Sequence, residues 1–93
     1  MPQIKGTYAT ENASKYLQQL CKHLAHKIDV DYTATDGQAQ FPFGTAVLSA
    51  SESTLTVTCD VSDAQSIATL HHVIDSHLAK FAFREDFEHM DWT

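Results

Sequence analysis

Apolar positions along this chain change period four times, and the changes mark its elements. Between residues 13 and 28 they recur every three or four residues, as Ala13, Leu17, Leu20, Leu24 and Ile28. That spacing gathers them into one stripe of an amphipathic helix, with Cys21 on the stripe's edge. Thr10 is the expected N-cap, followed by Glu11 and Asn12 in a first turn whose dipole suits them. Lys22 and Lys27 favour a stop near the other end.

From Ile28 the period is two. Ile28, Val30 and Tyr32 alternate with Asp29, Asp31 and Thr33, and Thr35-Asp36-Gly37 then signals a turn. Ala39, Phe41 and Phe43 continue as a strand. Pro42 and Gly44 interrupt it and mark a bulge, a bend or an edge. Ala46, Leu48 and Ala50 resume the alternation, and Ser51-Glu52-Ser53 turns the chain. Leu55, Val57, Cys59 and Val61 then form the cleanest strand, with Thr54, Thr56, Thr58 and Asp60 on its other face. Ser62-Asp63-Ala64-Gln65 reads as a capping box. It opens a second helix that carries Ile67, Leu70, Ile74, Leu78 and Phe81 on one side, with His77 in the same sector. Residues 3–9 suit a short edge strand weakened by Gly6. The tail supplies a last strand through Phe87, His89 and Asp91, or in the other phase through Met90 and Trp92.

The order β-α-β-β-β-α-β predicts an α+β two-layer sandwich. Two helices pack on one face of a mainly antiparallel sheet of four to five strands. If the third strand splits at Gly44, the order becomes strand, helix, four strands, helix, which is the arrangement of helix-grip folds. A length of 93 residues with 43% hydrophobic and 19% charged content fits one globular domain over 1–93. The net charge of −6 disfavours nucleic acid as a partner, because phosphate binding needs clustered Lys and Arg. Lys15, Lys22 and Lys27 lie along the first helix as a solvated face. Two cysteines, Cys21 and Cys59, make no disulfide framework, and no signal peptide or membrane-spanning run is legible. A reducing cytoplasm with both thiols free is the expected location.

Candidate chemistry concentrates in the histidines. Cys21, His23 and His26 spell Cys-x-His-x-x-His on one helix, and thiolate and imidazole are ligands for Zn²⁺, Fe²⁺ and related ions. Cys21 and His26 differ by about 140° around the helix at ~100° per residue, so a complete site needs a donor from elsewhere, and His77 is the natural one. The competing reading makes Cys21 a small core residue and His23 and His26 polar groups at a helix C-terminus. His77 is a ligand or base in a pocket between the helices, or a core imidazole satisfied by Tyr16, a carboxylate or a backbone carbonyl. Arg84 and Glu85, just after Phe81 and Phe83, clamp an anion or tie the helix end to the sheet or a sister subunit. Asp86, Glu88, His89 and Asp91 form an acidic tail. His71 and His72 are expected at the surface or rim. No nucleophile-base set, Gly-rich phosphate loop or Cys-x-x-Cys pair is present, so the chain reads as leaning away from an enzyme.

Tyr16-Leu17, Leu20-Cys21-Lys22-His23, His26-Lys27 and the run from His77 to Glu85 resemble the DUF2218 family of small bacterial proteins. Phe41-Pro42-Phe43-Gly44 and Trp92 fall in step with that family's pattern, and Lys80 stands where the family has arginine. The resemblance spans essentially the whole chain and brings no assigned reaction. It implies companionship with flavin-dependent siderophore-interacting proteins, and so a link to iron handling. The expected function is a non-enzymatic accessory module that binds a ligand or partner through Tyr16, His77, Phe81, Arg84 and Glu85. The alternative is a metal-binding module using Cys21, His23, His26 and His77. Edge strands and an aromatic tail leave a homodimer open.

Overall fold

The computed structural model describes residues 3–42, 44–60, 64–81 and 90–92. Six strands and two helices follow in the order β1 (Gln3–Ala9), α1 (Ala13–Leu24), β2 (Asp29–Tyr32), β3 (Asp36–Phe41), β4 (Gly44–Ala50), β5 (Thr54–Asp60), α2 (Ala64–Phe81) and β6 (Asp91–Trp92). The strands form a single antiparallel sheet in the order β2-β3-β4-β5-β1-β6. The α+β class, the two helices and the antiparallel sheet agree with the sequence pattern. The strand number does not: there are six, not four to five.

The extra strand comes from a hairpin. Phe41 and Gly44 are register partners, so Pro42 and Phe43 are the only residues between two paired strands. Gly44 holds φ at +154°, a region closed to most side chains, and an added Cβ there would meet the Asp60 carbonyl at 2.8 Å. Proline removes a ladder donor at the same point, so the strand cannot run through.

Alternation then sorts each strand. Leu55, Val57 and Cys59 on β5, Ala46, Leu48 and Ala50 on β4, and Ala39 on β3 are buried under the helices. α1 adds Ala13, Tyr16, Leu17, Leu20, Cys21 and Leu24 to this core, and α2 adds Leu70, Ile74 and Leu78. Ile28 and Ile67, expected on the two stripes, pack against it half-buried. Thr54, Thr56 and Thr58 stand on the opposite face of β5 and are half-exposed.

Two local expectations are corrected. The N-cap of α1 is Asn12, which makes no side-chain capping bond. Thr10 is buried instead: its Oγ1 accepts the Asn12 N–H at 3.1 Å, and its own N–H donates to the Ser53 carbonyl at 2.9 Å. The hydroxyl is spent on a turn that anchors the chain to the β4–β5 connection. β1, expected at an edge, lies between β5 and β6, because the tail pairs Trp92 with Gly6 and Asp91 with Thr7. Met90 is buried and Trp92 half-buried, so the tail adopts the Met90/Trp92 phase. The capping box at 62–65 begins outside the described residues.

Candidate histidine site at the helix ends

α1 stops by tightening. The Ala25 N–H donates to the Cys21 carbonyl at 2.9 Å, and His26, Lys27 and Ile28 donate to the His23 and Leu24 carbonyls at 3.0–3.3 Å. This turn satisfies the last carbonyls and carries His26 just beyond the helix. His23 and His26 are both exposed, with ring centroids 6.4 Å apart at 62°.

α2 brings the third imidazole. His77 lies in its last turns, half-buried, and its ring centroid is 6.3 Å from that of His23 at 61°. Its Nδ1 lies 2.7 Å from the Val73 carbonyl. A carbonyl only accepts, so Nδ1 carries a proton, and in the neutral ring the lone pair is on Nε2. The backbone carbonyl, one of the three partners foreseen for this ring, is in place.

Cys21 stands apart from these imidazoles. It is wholly buried on the sheet side of α1, close enough to β3 that a Cβ added to Gly37 would lie 2.8 Å from its Sγ. Burial pushes its thiol up to about 11, so it is a neutral thiol and a poor ligand at ordinary pH. Two positions along a helix amount to more than half a turn, which is why Cys21 and His23 face opposite ways. Cys59 is likewise buried, and its thiol is raised by burial and then by Asp60. Among the described residues, no three His, Cys, Asp or Glu side chains stand together closely enough to hold an ion as they are placed.

Of the other expected site residues, Tyr16 is buried in the core; Lys80, which stands where the family has arginine, is exposed. Phe81 closes α2, and its side chain, with Arg84, Glu85, Asp86, Glu88 and His89, lies outside the described residues. Asp91 is exposed, as are Lys15, Lys22, Lys27 and His72. Two open hollows lie elsewhere. One, of about 400 Å³, is lined by Asp31, Tyr32, Asp36, Gln38 and Val47 among others. The second, of about 540 Å³, lies along the first turns of α1 from Glu11 to Gln19.

One cluster was not foreseen. Asp75 on α2 accepts the Met90 N–H at 2.9 Å and the Trp92 Nε1–H at 3.0 and 3.2 Å, one to each oxygen. His71, expected only at the surface or rim, stacks on the Trp92 ring at 4.2 Å and 23°. These pairs are 15 and 17 residues apart for Asp75, beyond any local pattern. The one available signal was that His71 and Asp75 share a helix face at i, i+4.

Comparison with known proteins places the chain. Residues 5–93 match the family described as an uncharacterized protein conserved in bacteria, DUF2218. The chain belongs to this family. The NMR structure of PA4090 from Pseudomonas aeruginosa is similar, at 29% identity and a TM-score of 0.80, with 100% of this chain and 96% of that one covered. Among curated proteins, none matches the chain. DUF2218 membership therefore rests on nearly the full length, including both helical motifs that carry the histidines.

Proposed function

We propose that this DUF2218 chain is a non-enzymatic accessory domain that docks a partner at the end of its helical layer. The observation that carries this reading is the meeting of His23, His26 and His77 beside exposed Lys22 and Lys27, in a chain of net charge −6. Lys22 on α1 and Lys27 just beyond its end are two of the six Lys and Arg residues, and both are exposed next to His23 and His26 in the chain. An acidic surface on the partner fits this group by charge. Arg84, Glu85 and Phe81 belong to the same proposed module through the family motif, whereas Tyr16, buried in the core, can support it only from inside. The family resemblance suggests a flavin-dependent siderophore-interacting protein as that partner, and the two free thiols suit a reducing cytoplasm as the place of meeting.

The test is calorimetric titration of the chain into such a purified flavoprotein. Binding is expected to weaken about tenfold in the double variant K22E/K27E and at raised ionic strength. No binding by the wild type, or equal affinity in the double variant, refutes the reading.

A second reading, a metal-binding module, is favoured by one distance: His23 and His77 meet across the helices at 6.3 Å. Cys21 drops out of its ligand set because it is buried on the sheet side of α1.

A further inference from the structure

The geometry points to His23 and His77 as a two-imidazole clip for a divalent first-row ion, with His26 as a third ligand after its ring turns. This rests on the metal-binding reading and names its ligands, its ion class and its effect on the fold.

Two imidazoles bound to one ion at a metal–nitrogen distance of about 2.0–2.1 Å place their centroids roughly 5–6 Å apart, depending on the angle at the metal. His23 and His77 stand at 6.3 Å, so the gap closes by about 0.3–1.3 Å. The rings meet edge to face at 61°, and an ion between them requires the exposed His23 ring to turn its nitrogen toward His77. His77 is already oriented: its Nδ1–H is committed to the Val73 carbonyl at 2.7 Å, so Nε2 is the nitrogen left for an ion. A ring N–H held by a carbonyl is the support that metal-bound histidines ordinarily have. His26 is exposed and three residues from His23, so its ring reorients without disturbing the core.

The donor set chooses the ion. With the thiol of Cys21 buried against β3, only imidazole nitrogens and water remain. Such a set suits Zn²⁺, Ni²⁺ or Cu²⁺, with Cu²⁺ bound most tightly, and disfavours Mg²⁺ and Ca²⁺, which require oxygen ligands. His23 is on α1 and His77 on α2, so an ion bound to both ties the helices together and is linked to folding.

The experiment uses untagged full-length protein and the chloride salts of Zn²⁺, Ni²⁺ and Cu²⁺. One equivalent is expected to bind by calorimetry and to raise the melting temperature by a few degrees. H23Q and H77Q should each lose about tenfold or more in affinity together with that rise, while C21S keeps both. Substoichiometric Cu²⁺ should broaden the ring proton signals of His23 and His77 first. His23 is exposed, so H23Q carries the test even if H77Q proves unstable. If no ion binds at micromolar concentration, the clip and the metal-binding reading fall together. If an ion binds H23Q and H77Q as tightly as wild type, the clip alone falls.

Discussion

At the scale of single residues, two close approaches carry testable consequences. The Cys21 thiol is raised from its ordinary 9.0 to about 11 by burial, so the fold favours its protonated form. That contribution is fully present below about 9. It is lost as pH rises through about 11, because the unfolded thiol ionises first. Denaturant titrations should therefore show stability falling between these values by about 2 kcal/mol in the wild type and less in C21S. Cys59, also raised, adds in the same direction. The second approach is at Gly6, where an added Cβ would lie 2.7 Å from the Trp92 ring. G6A must push that ring off β1, and a loss of about 1–3 kcal/mol in urea unfolding is expected. An unchanged midpoint would show that the indole is not seated there.

At the scale of elements, β6 is too short to hold itself. Two paired residues cannot offset the entropy of ordering a chain end. What holds it is α2: Asp75 takes both the Met90 N–H and the indole N–H, while His71 stacks on the indole. D75A removes the acceptor and leaves two donors without it, and should cost about 1–3 kcal/mol. W92F loses the indole bond and part of the ring's contact with His71 and Gly6, but leaves Asp75 to accept the Met90 N–H. Trp92 is the sole tryptophan, so its fluorescence reports on this latch alone. D75A is expected to shift the emission to the red; an unmoved spectrum would mean that the carboxylate does not hold the ring.

At the scale of the whole molecule, both helices pack on one face of the sheet and β2 lies at its end. Asp29, Asp31 and Tyr32 on that terminal strand are all exposed. Charged side chains on an end strand oppose pairing with a second sheet, so the aspartates act as guards. D29T/D31T should raise self-association, seen as a larger mass by light scattering at equal concentration. The mass of the wild type and of the double variant would be equal if the guards were idle. No helix among the described residues is long and apolar enough to cross a membrane.

The chain's alternating periods by themselves marked the two helices, their stripes and the inward Leu55, Val57 and Cys59 of β5, because each depends on spacing within one element. Leu17, Leu20, Leu24, Leu70, Ile74 and Leu78 all lie where that spacing puts them. The hairpin at Phe41–Gly44 was announced by Pro42 and Gly44, but whether they meant a bulge, a bend or a full reversal depended on the pairing of β3 with β4. The strand phase of the tail, the Asp75 latch and the meeting of His23 with His77 were tertiary decisions. They join residues far apart in sequence, and no local periodicity carries information about which distant surfaces will touch. Cys21 shows the same boundary from the other side: its place in a Cys-x-His-x-x-His string suggested a ligand. The rotation of an α-helix, once α1 was laid on β3, turned it toward Gly37 and left only the imidazoles at the surface.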